Sequence, residues 1–152
     1  MTEKFFIFAR DLYGQLGVQL DVPGVYQLKC IDGQGYRSIP RMLMADPDGV
    51  LYIGSSKNIR SGIIRLRKAL CAAAKVDGYT NAACHPCGQK YSKNVREKFP
   101  FEMLCVTVHP VSQDRDAEGL AIFELQTYVK AFGEVPPFND EYPKETWQSN
   151  IF

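Results

Sequence analysis

Two tyrosines, an arginine-rich stretch and a lone glutamate in an apolar segment are the residues of this chain best placed to do chemistry together. Tyr26 closes Gly24-Val25-Tyr26 and Tyr52 opens Tyr52-Ile53-Gly54, each in a run of strand-like composition, and an Arg-rich stretch with helical spacing follows. Two phenols and a guanidinium gathered round one point suit a phosphate diester. Hydrolysing that group takes a base for water, a cation against the charge of the transition state, and help for the departing oxygen. A tyrosine serves as the base only where positive charge lowers its phenol from about 10. Lys57, just past Tyr52, is the neighbour on offer. Arginine suits the second task because its planar fork stays ionised and grips two phosphate oxygens at once, and the stretch after Tyr52 supplies several.

The third requirement is a carboxylate able to hold one divalent cation, Mg²⁺ or Mn²⁺, which proteins bind through one or two carboxylates plus phosphate and water. Glu124 fits because it interrupts an apolar helical run, Gly119 to Leu125, where an acid without a partner is costly. Downstream, Pro136-Pro137-Phe138-Asn139 ends in an asparagine able to fix the backbone or touch the site. Cys84-His85-Pro86-Cys87 is a rival motif: a CxxC supplies two zinc ligands, with His85 or Cys71 as a third. A structural zinc site wants four ligands and no second such pair exists, so free thiols in a loop are the expectation.

The elements that must position these groups are read from punctuation and period. Phe5 to Leu16 is expected as a short helix, Gly24 to Ile31 as a strand ended by Asp32-Gly33-Gln34-Gly35, and Arg41 to Ala45 as a strand. The last forms a hairpin with Val50 to Ile53 across the turn Asp46-Pro47-Asp48-Gly49. Asn58 or Ser61 caps a helix running to Val76 with Ile63, Ile64, Leu66, Leu70 and Ala74 on its apolar face. A loop over 77–88 precedes a basic helix from Gln89 to Lys98, a strand from Phe101 to Val108, and a last helix from Asp114 to Asp116 onward to Ala131, stopped by Gly133.

A chain of 152 residues with 45% hydrophobic and 23% charged side chains fits one domain with a single core, and the motif-bearing part described below leaves 1–23 and 140–152 as terminal extensions. Its net charge of +1 conceals a lopsided distribution: residues 57–98 hold ten bases against two acids, a balance of +8, and the remainder holds eight bases against fifteen acids, or −7. A polyanion docking on one side suits that arrangement, with Arg60, Arg67, Lys68, His85, Lys90, Lys93 and Arg96 as its contacts. The absence of a long apolar run argues against a membrane span, and five cysteines at irregular spacing argue against a secreted disulfide framework. A soluble intracellular protein, in the cytoplasm, is the expectation, needing no small-molecule cofactor; a homodimer is allowed for.

The order of these parts resembles the GIY-YIG nucleases, in which tyrosine-bearing strands and an arginine helix are followed by a helix with one glutamate and a proline-containing loop ending in asparagine. The resemblance covers residues 24–139 and implies an α/β fold: a small, mostly antiparallel sheet of three or four strands flanked by helices. It further implies a metal-dependent DNA endonuclease in which Tyr26, Tyr52, an arginine of the first helix, Glu124 and Asn139 form the site, and His85 matches a histidine of some members. The tyrosines stand farther apart than is usual, and which of them is the base is left open. Gly62 occupies the position of the family's arginine, and a helix starting at Ser61 puts Arg65 in its place. After Glu124 the match holds only with a one-residue shift. Two other classes compete: a non-catalytic nucleic-acid-binding module with the same fold, and an interaction domain stabilised by zinc at Cys84 and Cys87.

Overall fold

The computed structural model describes residues 3–33, 35–112 and 116–143. Its centre is a five-stranded antiparallel sheet: β1 (Lys4–Phe6), β2 (Gly24–Asp32), β3 (Gly35–Tyr36), β4 (Val50–Ser56) and β5 (Leu104–Pro110). The long apolar β2 is the middle strand. It pairs along its length with β5 on one side and β4 on the other, while β1 lies beyond β5 and β3 pairs with the far end of β2. Around the sheet stand α1 (Leu12–Gln15), α2 (Ile59–Ala73), α3 (Pro86–Lys90), α4 (Lys93–Lys98) and α5 (Ala117–Phe132).

Strand period two divides β2 between two cores. Tyr26, Leu28 and Cys30 join Ile59, Ile63, Leu66 and Leu70 of α2, whereas Val25 joins Val50, Ile53, Ala121 and Tyr128 on the α5 side. α2 and α5 therefore cover opposite faces. In β4 the alternation is broken on purpose by a bulge: Tyr52 pairs with Leu28 and Val50 with Lys29, so Leu51 is the extra residue. Leu51 and Tyr52 consequently both belong to the α2 side.

Several sequence expectations change. Phe5 to Leu16 is not one helix: Phe5 is buried in β1 and Ile7 in the turn that follows it, and only Leu12–Gln15 is helical. Arg41 to Ala45 is not a strand, since Met42, Leu43 and Met44 all stand exposed with no core to face. The turn after it does form. Gly49 has φ of +60°, and Asp46, 1% exposed, accepts from the amides of Asp48 and Val50 and from the Tyr128 hydroxyl, tying the entry of β4 to α5. Asn58, not Ser61, caps α2, its side chain accepting from the Ser61 amide, and the helix ends at Ala73 before Lys75 takes φ of 64°. The basic segment splits into α3 and α4. α5 starts at Ala117, with Asp114 outside the described residues, and ends in a left-handed Gly133 whose amide bonds to the Val129 carbonyl. No helix among the described residues is long and apolar enough to cross a membrane.

Candidate active site

The α2 face of the sheet gathers side chains from four separate segments. Tyr26 comes from β2, Tyr52 from β4, Arg65 from α2, and His85 from the turn into α3. The two phenol rings lie 6.1 Å apart, and the His85 ring stands edge-on to Tyr52 at 5.1 Å. Two glycines make this approach possible. A Cβ on Gly54 would meet the Tyr52 ring at 2.4 Å, so that ring lies over bare backbone. A Cβ on Gly62 would meet Ser56 at 2.9 Å and the Tyr26 ring at 3.3 Å, so an arginine has no room there, and Arg65, one turn on, supplies the cation.

His85, expected on the DNA face, is instead 2% exposed and belongs to the cluster. It caps α3: its Nδ1 accepts from the Cys87 amide at 3.1 Å, with Pro86 at the first helical position. An accepting Nδ1 leaves the proton of the neutral ring on Nε2. The 2.9 Å bond between Nε2 and the Tyr26 hydroxyl therefore runs from histidine to tyrosine, and the phenol's own proton is free to point elsewhere. Burial, reinforced by the Arg65 charge, lowers the His85 pKa to about 4. Burial also dominates at the phenols. It raises Tyr52 to about 12 and Tyr26 further still, and Arg65 offsets only part of this at both. A tyrosine lowered toward neutral pH is thus not what the resting site contains. Lys57 does not assist Tyr52 either: it lines a different cavity, with Pro23, Ser56 and Asp116, and Arg65 is the cation that acts on the phenol.

Glu124 does not join the tyrosines. It faces the other side of the sheet, where its Oε1 accepts from Gln27 at 2.7 Å and its Oε2 lies 3.7 Å from His109 Nδ1. Successive helix residues point about 100° apart, and it is Leu125 that reaches the cavity of about 390 Å³ beside Tyr52 and Asn139. The one-residue shift in the sequence pattern thus has a geometric counterpart. Two turns earlier on the same helix face, Glu118 lines that cavity, joined by Asp140 and Glu141 from the chain beyond Asn139. Asp140 is paired to Lys90 at 2.6 Å, and Glu118 and Glu141 have no ion-pair partner among the described residues. Spacing by three, four and seven residues among Glu118, Ala121, Ile122 and Leu125 was the signal for this face.

Asn139 is a clip. Its Oδ1 accepts from the Ile53 amide and its Nδ2 donates to the Ile53 carbonyl, while the Phe138 amide bonds to the Leu51 carbonyl, so this segment lines the outer edge of β4 beside Tyr52. Among the proposed DNA contacts, Arg67 is used internally, donating to the Ile7 and Ala9 carbonyls, and Arg96 donates to the Tyr91 carbonyl. Arg60 pairs with Asp21 at 3.5 Å and stacks on Tyr13. Lys68 and Lys93 are exposed. Cys87 is buried in the core and Cys84 is half-buried, both as free thiols, and among the described residues no three His, Cys, Asp or Glu side chains stand close enough to share a metal ion. No family model, curated protein or solved structure gives a significant match to this chain.

Proposed function

We propose that the protein is a metal-dependent endonuclease of the GIY-YIG type that hydrolyses phosphodiester bonds in DNA. The convergence of Tyr26, Tyr52, Arg65 and His85 from four segments on one face of the sheet carries this reading. Arg65 grips a non-bridging phosphate oxygen. Tyr52, the less buried phenol, meets the substrate, and the buried Tyr26 accepts from His85 Nε2 and keeps its own proton to donate. Glu118 and Glu141, hard oxygen donors on the Tyr52 cavity, fit Mg²⁺ or Mn²⁺ there, whereas Glu124 faces away from the tyrosines on the other side of the sheet, its Oε1 taken by Gln27 and its buried Oε2 without a hydrogen-bond partner among the described residues. The cation would supply positive charge against the phosphate and against a phenol that burial keeps neutral.

DNA cleavage with Mg²⁺ and with EDTA, read alongside Mn²⁺ binding by electron paramagnetic resonance, tests the reading. Glu118→Gln is expected to lose both cutting and the bound Mn²⁺ signal, and Glu124→Gln to keep both. The reverse ordering would sink the assignment. A second reading, a non-catalytic nucleic-acid-binding module, is favoured by the raised phenols and by Leu125 at the cavity. Tight DNA binding with no cutting under either metal would establish it.

A further inference from the structure

On the outer side of α2, a groove of about 510 Å³ runs from Arg65 to the exposed ring of Tyr13, bordered by Arg60 and Lys68. Three cations face one acid, Asp21, so the groove favours an anion. Tyr13 is 59% exposed although it is a large aromatic, and the Arg60 guanidinium lies 4.2 Å from its ring centroid, which holds the ring in place. Asp21 engages only one terminal nitrogen of Arg60, at 3.5 Å, and the Arg60 Nε–H is buried with no acceptor among the described residues. A buried donor left unpaired is unfavourable, and since the Nε–H is closed to solvent it is the terminal nitrogens of Arg60, loosely held by Asp21, that can meet an incoming oxygen.

We infer that this groove binds the unpaired nucleotide next to the reacting phosphate, its base stacked on the open face of Tyr13 and its phosphate held by Arg60 and Lys68. The inference rests on the reading of the tyrosine cluster as a nucleic-acid phosphodiester site, since Arg65 lines the groove and also acts on both phenols. Stacking requires a base with a free π-face, which a duplex hides and a single strand offers. The substrate class is accordingly DNA with a single-stranded segment, such as a flap or a splayed end.

Fluorescence anisotropy with a short labelled oligothymidylate and a duplex of equal length tests it, using the full chain without divalent metal. Tyr13→Ala is expected to weaken single-strand binding about tenfold or more, to leave duplex binding little changed, and Tyr13→Phe to retain wild-type affinity. Lys68→Ala is expected to weaken binding and flatten its salt dependence. Because Tyr13 is exposed, unchanged thermal unfolding is expected and separates this result from loss of fold. Unchanged single-strand affinity in Tyr13→Ala overturns the inference, as does an equal loss on duplex. Displacement by thymidine monophosphate as effective as by the oligonucleotide also overturns it, marking a mononucleotide pocket instead. A cleavage assay separates the two levels: if Tyr52→Phe abolishes cutting while Tyr13→Ala leaves single-strand affinity intact, only the groove inference falls. If Tyr13→Ala loses that affinity while wild type cuts nothing, only the hydrolytic reading falls.

Discussion

Arg60 and Arg65 stand little more than one helical turn apart on α2, yet their surroundings assign them different work. Arg65 bears electrostatically on Tyr26, Tyr52 and His85. Arg60 is held by Asp21 and Tyr13. Arg65→Ala is therefore expected to lower single-turnover cleavage by about 10² to 10³, as loss of a transition-state contact does, and Arg60→Ala mainly to raise KM. The opposite ordering in single-turnover rates would make Arg60 the catalytic cation. His85 makes a separate prediction about pH. Its folded pKa of about 4 lies below the 6.5 of the open chain, so between these values the unfolded state binds the extra proton and folding weakens as pH falls. Stability should be full above pH 6.5 and decline by about 3 kcal/mol on approaching pH 4, following from about 1.4 kcal/mol per pKa unit. Urea unfolding across that range, with His85→Gln removing the slope, is the measurement. At the residue level, the family resemblance singled out Tyr26, Tyr52 and Arg65, and the fold does bring these three together on one face of the sheet. His85 was misjudged because nothing in Cys-His-Pro-Cys tells a cap facing inward from a loop facing water.

Among the elements, the turn at Asp46 and the helix α2 were legible because Gly, Pro and an apolar period mark them, whereas β1 was hidden by length. Three residues show no period, and Lys4–Phe6 becomes a strand only because β5 is there to pair with it. The bulge at Leu51 was equally invisible, since an extra residue in a ladder exists only relative to the partner strand. The face of Glu124 was lost for the same kind of reason: helical spacing tells which residues share a side, not which side meets the sheet edge. Asp46 offers the test at this level. Its buried carboxylate accepts from Val50, Asp48 and Tyr128, joining the start of β4 to α5. Asp46→Ala strands those donors and is expected to cost about 2–4 kcal/mol by chemical denaturation, with Tyr128→Phe costing less because the carboxylate keeps its backbone partners. Equal losses from the two would mean that the hydroxyl contact, not the turn, anchors the strand.

At the scale of the molecule, the charge imbalance read from the sequence survives as a surface only in part. The basic segment 57–98 packs α2 against α3, yet Arg67 and Arg96 turn inward to backbone carbonyls and Lys90 is neutralised by Asp140. A linear count cannot tell a cation facing water from one spent on the fold. The clip at Asn139 has a consequence of another kind. A terminal strand of a sheet exposes a row of free amides and carbonyls onto which a second chain can add, the first step of edge-to-edge polymerisation. By occupying the Ile53 amide and carbonyl, with Phe138 taking the Leu51 carbonyl, this segment lets the protein seal its own edge. Asn139→Ala should reopen it, and static light scattering over a concentration series should then register growing assemblies where the wild-type chain shows none. The residue that clips the strand beside the tyrosines would thereby also guard the molecule against its own copies.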